Sequence, residues 1–204
     1  MKLSSNEAIS LIKAHENSHA ERVYLIEHQL AVGNAAGRIA KALGMDEDKA
    51  KALGYIHDIG KVFCEDVKRN RGLAHGIRGY EYIRSLGYDE EYARICILHS
   101  YLNNDIDCLS GDITDRNGEA FEFQYNYVTN HPYDDYEKLI NLCDLMCTNK
   151  ILTVDKRMMD LLIRHGVFKT THYHILETMK LKEYFDQKLG YNLYNLFPEV
   201  KENL

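Results

Sequence analysis

Apolar residues recur along most of the chain every three or four positions, the spacing that gathers them on one face of a helix. Ala8, Ile9, Leu11 and Ile12 predict a short helix from about Ser5. Val23, Ile26, Leu30, Ala31, Ala35, Ile39, Ala40 and Leu43 predict a longer one over 20–43, stopped by Gly44. A third begins near Asp46 with acidic residues in its first turn, turns Ala50, Leu53 and Ile56 inward, and ends at His57-Asp58-Ile59-Gly60. Residues 63–73 are charged and loop-like, and a helix follows over 75–86, closed by Gly87. Asp89 caps another that runs through Tyr92, Ile95, Cys96 and Leu98 to His99. Helical spacing resumes from Tyr136 through Met146, over 156–164 ending at Gly166, and over 174–189, with 191–198 as packed coil.

Residues 101–136 break this rhythm. Asn103-Asn104-Asp105 and Gly111-Asp112 are turn-rich, and Asn117-Gly118 is a tight-hairpin signal. Phe121, Phe123, Tyr125 and Tyr127 alternate with polar neighbours as on a half-buried strand. The segment is therefore expected to be a small β-hairpin insertion in an otherwise all-α protein.

Composition narrows the class. A 45% hydrophobic content over 204 residues supports one ordinary core rather than disorder. The formal charge of -6, with no basic tract, disfavours a nucleic-acid polymer or an anionic membrane as partner. A small anionic substrate remains compatible with it, because a local cation outweighs a weak global field. The five cysteines, Cys64, Cys96, Cys108, Cys143 and Cys147, are odd in number and form no Cys-x-x-Cys pair. With neither a signal-peptide pattern at the N-terminus nor an apolar run of spanning length, the expected compartment is a reducing cytoplasm.

The candidate chemistry centres on Tyr55-Ile56-His57-Asp58-Ile59-Gly60-Lys61. Here an imidazole and a carboxylate stand side by side in apolar sequence. Burying an ionised carboxylate without a partner is costly, so a metal ion is the natural partner. The residues of this buried type are His28, His57, Asp58, His75, His99 and Asp144, each near a helix end or on a predicted apolar face. Imidazole with carboxylate suits zinc, iron, manganese or cobalt, and no cysteine stands at a ligand-like spacing. Six such groups exceed the need of one tetrahedral ion and suffice for two that share a carboxylate. Lys61 is a candidate for a phosphoryl oxygen, or else a partner of Glu65 four residues on. Arg78, about one turn after His75, is a second candidate for substrate. Lys150, Lys156, Arg157 and Arg164 are expected to form a solvated face, with Lys150 or Arg164 reaching the site from the far side as the alternative, and His172 and His174 to lie at the surface or behind the site.

The order His28…His57-Asp58…Asp144 resembles the HD superfamily of metal-dependent phosphohydrolases. His75 and His99 resemble the additions of its two-metal branch. His75-Gly76-Ile77-Arg78-Gly79-Tyr80-Glu81 is similar to the family's His-x-x-x-Gly-x-Glu segment, and Ile97-Leu98-His99 to the next histidine segment. The likeness covers residues 22–165. It departs at Ser100, where several two-metal relatives carry a second histidine, and in the long gap between His99 and Asp144. The resemblance implies an HD-type helical bundle over 1–204, with 101–136 inserted and 150–204 as a C-terminal helical extension. It implies a first metal on His28, His57, Asp58 and Asp144, and Asp58 bridging to a second on His75 and His99. The ions would be one or two divalent cations (iron, manganese, zinc, cobalt or magnesium). The implied activity is hydrolysis of a small phosphoester or nucleotide by a metal-activated water, with Asp58 and Lys61 catalytic and Lys61 and Arg78 on the substrate. The alternatives are a di-iron oxygenase on the same ligands and a non-catalytic regulatory module. A homo-oligomer is compatible with all three.

Overall fold

A computed structural model of the protein describes residues 1–15, 20–65 and 71–203. The part of the expected loop that falls on 66–70 lies outside them. Among the described residues the regular structure is helical, with one isolated β-bridge, Cys147 to Ile151. The helices are α1 (Ser5–Lys13), α2 (Ala20–Ala42), α3 (Glu47–Ile56), α4 (Arg71–Ser85), α5 (Glu90–Ala93), α6 (Ile95–Leu98), α7 (Glu119–Asn130), α8 (Asp135–Asp144), α9 (Val154–His165) and α10 (Thr171–Leu189). A 3-10 turn, Ile59–Phe63, follows α3, and two more close the chain.

The termini of these helices follow local chemistry. Ser4 and Glu7 form a reciprocal capping box at α1, and Asp134 with Glu137 forms another at α8. Asp46 caps α3 through the Lys49 N–H, and Thr153 caps α9 through that of Lys156. Gly44 takes a positive φ of 71° just beyond α2, as a C′ glycine should. The segment ending at His99 is not one helix but two short ones, α5 and α6, and Asp89 makes no side-chain cap bond. Helix α4 starts at Arg71, earlier than its apolar pattern alone predicts. Val23, expected inside, is 40% exposed, because α2 turns its Ile26, Val32, Ala35, Ala36, Ile39 and Ala40 face to the core instead.

Two glycine contacts set how closely the central helices approach. A Cβ on Gly54 of α3 would lie 2.5 Å from the Gly33 Cα of α2, and one on Gly33 would lie 2.2 Å from the Tyr55 ring. α2 and α3 therefore touch backbone to backbone, which a side chain at either position would prevent. The second contact joins the 3-10 turn to α4. A Cβ on Gly60 would lie 1.9 Å from the His75 carbonyl oxygen and 2.6 Å from the Gly79 nitrogen. On the far side of α4, Cβ atoms on Gly76 and Gly79 would each lie 2.9 Å from Cys96, from its carbonyl oxygen and its Cβ respectively. The 3-10 turn, α4 and α6 are thus stacked through small residues.

The expected hairpin insertion is not formed. Residues Glu119–Asn130 are helical, with Gly118 as N-cap at φ 99°, so the Asn-Gly pair leads into a helix rather than turning a hairpin. The period-2 aromatic pattern misled because it also contains the four-residue spacing of a helix. Phe121 stacks on Tyr125 at 6.0 Å, and Phe123 meets Tyr127 at 5.8 Å. Phe123 and Tyr125 face outward, while Gln124 and Val128 are the buried positions. Val128 joins Ile97, Leu98, Tyr101, Ile106 and Tyr133 in a small core behind α6.

Gly60→Ala is predicted to destabilise the fold by about 3 kcal/mol, because the clashing atoms are backbone and cannot rotate away. Gly72→Ala, also in α4 but with nothing within 4 Å of the added Cβ, should be neutral or stabilising by about 0.5 kcal/mol. Denaturant melts of the two variants check this. Equal midpoints would show that the turn and α4 do not need their contact at Gly60.

Candidate metal centre

α3 ends at Ile56, and His57 still holds helical angles as its C-cap. Asp58 does not: at φ -104° and ψ 10° it turns the chain into the 3-10 segment. The change of direction falls at Asp58, one step before Ile59-Gly60, and it lets two adjacent side chains point to the same place. Gly60 then serves the close approach to α4 rather than the turn itself.

All six residues singled out from the sequence converge. His28 comes from α2, His57 and Asp58 from the end of α3, His75 from α4, His99 from the end of α6 and Asp144 from the last position of α8. The ligand-type atoms of His28, His57 and Asp58 lie within 4.8 Å of one another, as do those of His57, His99 and Asp144 and of Asp58, His75 and His99. The five residues other than Asp144 are buried, and the Asp144 side chain is 23% exposed toward the cleft.

The histidines are oriented by carbonyls, which can only accept. The Nδ1–H groups of His28, His57 and His99 donate to the carbonyls of Thr148 at 3.1 Å, Gly54 at 2.7 Å and Ile95 at 3.1 Å. Each of these rings therefore presents its Nε2 lone pair inward. The Nε2 atoms of His28 and His57 face each other at 3.3 Å, and those of His75 and His99 at 3.1 Å. Ligands bound about 2.1 Å from one ion stand roughly 3.0–3.4 Å apart, so these separations fit shared coordination.

Asp58 divides the six into two groups. Its Oδ2 lies 3.6 Å from His28 Nε2 and 3.5 Å from His57 Nε2, on the side where Asp144 Oδ1 stands 3.1 Å from His28 Nε2. Its Oδ1 lies 3.4 Å from His75 Nε2 and 3.3 Å from His99 Nε2. That Oδ1 is buried and has no hydrogen-bond partner. An orphaned buried carboxylate oxygen facing two imidazoles is a donor set suited to a cation, so the residues present fit a divalent metal.

Electrostatics agree. Burial pushes the His57 imidazole down to about 4 against the pull of Asp58 and Asp144, so it is a neutral donor at physiological pH. Burial also pushes the Asp58 carboxyl up, but Lys61, His57 and His99 hold it well below the usual range. Burial pushes the Asp144 carboxyl up too, but the His28 and His57 imidazoles beside it hold it below the usual range. Both are ionised. Burial raises the thiols of Cys96, Cys143 and Cys147, which leaves them neutral and poor ligands.

A cleft of about 490 Å³ opens over this cluster. Lys61 lines it, with its ammonium on Asp58 Oδ2 rather than on Glu65, which pairs with Arg22 at 2.6 Å. Ser100 stands at its edge, with its hydroxyl 3.0 Å from His99 Nε2. Arg78 is not in the lining, and its guanidinium donates to the Phe63 carbonyl. Arg157 and Arg164, expected on a solvated face, both line the cleft. The signal for them was present: Val154, Arg157, Met158, Leu161 and Arg164 fall on one face of α9, whose apolar members are buried. Arg22, not anticipated, also lines the cleft and donates to the Val62 carbonyl at 2.8 Å. His174 is buried and edge-on to Phe168, outside the cleft lining, and burial lowers its pKa to about 4.

Comparison with known proteins places this geometry. An uncharacterized protein of Methanocaldococcus jannaschii is 35% identical over 98 residues, which span 46% of this chain and 52% of that one. Ribonuclease Y of Oleidesulfovibrio alaskensis is 29% identical over 127 residues, 57% of this chain and 23% of that protein. The chain thus spans about half the length of the first relative and about a quarter of the second. Among solved structures, the HD domain of the L. monocytogenes phosphodiesterase PgpH, in complex with cyclic-di-AMP, superposes with a TM-score of 0.51. It covers 94% of this chain and 97% of that one at 14% identity, a likeness of fold. The HD domain family profile matches residues 25–146, from the turn before His28 to just past Asp144. The chain belongs to the HD domain family, the superfamily of metal-dependent phosphohydrolases whose ordered histidines and aspartates it carries.

Proposed function

We propose that the protein is a metal-dependent phosphohydrolase acting on a small phosphoester or nucleotide. The observation that carries this reading is Asp58, buried and ionised, with one oxygen toward His28 and His57 and the other, unpartnered, toward His75 and His99. His28, His57, Asp58 and Asp144 would hold one divalent ion, and Asp58, His75 and His99 a second. Such ions would supply Lewis acidity and a water of lowered pKa at the floor of the cleft. Iron, manganese, zinc, cobalt and magnesium all fall within what nitrogen and oxygen ligands accept.

The chain's own residues supply the rest. Carbonyl bonds at Nδ1 fix three of the four imidazoles so that little reorganisation is needed when the site is loaded. Lys61 shares Oδ2 with the first ligand group, so an ion taking that oxygen would free the ammonium to meet a phosphoryl oxygen in the cleft. The cleft lining sets Lys61, Arg22, Arg157 and Arg164 against Glu21, Glu65 and Asp144, so it is richer in cations than a chain of charge -6 as a whole. That contrast supports a small anion over a long polyanion, which would also meet the negative outer surface. The cyclic-di-AMP bound by the similar PgpH domain is a small nucleotide of this kind.

Asp58→Ala should lose bound metal and hydrolysis together, by elemental analysis and by release of p-nitrophenol from bis(p-nitrophenyl) phosphate. Full turnover in that variant would end the reading. So would a native iron centre with oxygen uptake and no phosphoester cleavage.

Removing the ions from wild-type protein with a chelator should lower the melting temperature by several degrees, and manganese should restore it. Ligands that bind only the folded state at about 100 times Kd add about 2.7 kcal/mol. A melting curve indifferent to chelator would argue against an ion at the site.

Lys61→Met should retain metal but lower kcat by about a hundredfold, the scale of losing one charge-stabilising donor. Steady-state kinetics beside metal content check this, and an unchanged kcat would remove Lys61 from the chemistry.

A further inference from the structure

α9 brings two arginines to the cleft and ties them with a single carboxylate. Asp160 Oδ2 accepts from Arg157 Nη1 at 2.5 Å and from Arg164 Nη2 at 2.7 Å. Arg164 Nε adds a bond of 3.2 Å to Asp160 Oδ1, which makes its grip bidentate. Arg157 also donates from Nε to the Asp144 carbonyl at 3.4 Å, at the C-terminal end of α8. One carboxylate between two guanidinium groups leaves a net charge of +1.

The two arginines are not alike. The Arg157 side chain is 10% exposed and braces the backbone of Asp144, a position that explains itself structurally. The Arg164 side chain is 41% exposed. It spends Nε and Nη2 on Asp160, and among the described residues nothing takes its Nη1 donors. Asp160 therefore holds a guanidinium at the cleft wall with its outer edge available. Both pairs have the i,i+3 and i,i+4 spacing common on helices, and what sets them apart is that both arginines line the cleft.

We infer that Arg164, positioned by Asp160, is a specificity residue that binds a second phosphate group of the substrate while the scissile one lies over the His/Asp cluster. The inference rests on the phosphohydrolase reading above and deepens it. The substrate class is then a nucleotide with two separate phosphate groups, as in a nucleoside bisphosphate or a dinucleotide, rather than a simple monoester. A fixed guanidinium recognises phosphate oxygens with charge-assisted bonds, and its pre-organisation spares the entropy a free side chain would lose.

The test is inhibition of bis(p-nitrophenyl) phosphate hydrolysis by adenosine 3′,5′-bisphosphate and by adenosine 5′-monophosphate, in the manganese-loaded enzyme. Wild type should prefer the bisphosphate by about tenfold, the scale of one charge-assisted bond. Arg164→Ala should bring the ratio of the two inhibition constants to near one, and Arg164→Lys should keep part of it. A wild-type ratio near one would overturn the inference while leaving the phosphohydrolase reading intact, as would an Arg164→Ala variant that weakens both inhibitors equally. Absence of any metal-dependent turnover in wild type would end the phosphohydrolase reading and this inference with it.

Discussion

A buried, ionised Asp58 is the constraint around which the rest is arranged. An unpaired carboxylate in a protein interior costs several kcal/mol, and the chain does not avoid that cost by burying a neutral residue there. It surrounds the group instead with four imidazoles and one ammonium. Lys61 reaches Oδ2, and Oδ1 is left without a hydrogen bond. The asymmetry matters. An internal salt bridge alone would satisfy the charge without gathering histidines on both sides. The Nε2 atoms of His28 and His57, turned toward each other at 3.3 Å, suit a cation between them.

The second requirement is precision in how helices approach. Ligands to one ion must converge within a few tenths of an ångström, yet the six candidate ligands come from five helices. Small residues at the crossings achieve this. Gly33 against Gly54 sets the distance between His28 and His57, and Gly60 against α4 sets that between Asp58 and His75. Gly76 and Gly79 against Cys96 bring α6, with His99 at its end, to the same point. Backbone contacts are stiffer than side-chain contacts, so the geometry of the centre is fixed by atoms that have no rotamers to lose. Packing and chemistry are therefore one design here: the glycines that allow the core to close also place the candidate ligands.

How much of this was legible follows from what each signal encodes. Buried-type histidines and aspartates in apolar settings stand out because polar groups on core faces are rare, so all six were visible before any coordinates. Long amphipathic helices were visible for the same reason. Helix α7 was not, since aromatics at alternate positions satisfy the two-residue and four-residue periods together. Its buried positions, Gln124 and Val128, include a polar residue that hid the helical stripe. The charge of Arg157 points to a solvated face, and for Arg164 reach into the site is the alternative. Their register with Val154, Met158 and Leu161 carried the better information. Arg78 erred the other way: its spacing from His75 is right for a helix turn, but its guanidinium is occupied by the Phe63 carbonyl.

Charge at two scales then separates what the molecule attracts from what it admits. The chain as a whole is negative, so over distances beyond a Debye length of about 8 Å it offers little steering to a polyanion. Inside the cleft the charges come close to balance, with Lys61, Arg22, Arg157 and Arg164 beside Glu21 and Glu65 in the lining and ionised Asp58 and Asp144 at the floor. The two carboxylates would repel a phosphate wherever cations did not offset them. Cations at the floor are thus a condition for an anion to enter at all, and the arginines on the walls act only after that condition is met. Affinity for metal and affinity for an anionic ligand must rise together, because each neutralises charge the other leaves exposed. The buried carboxylate that needs an ion is, by the same electrostatics, what makes binding of substrate depend on it.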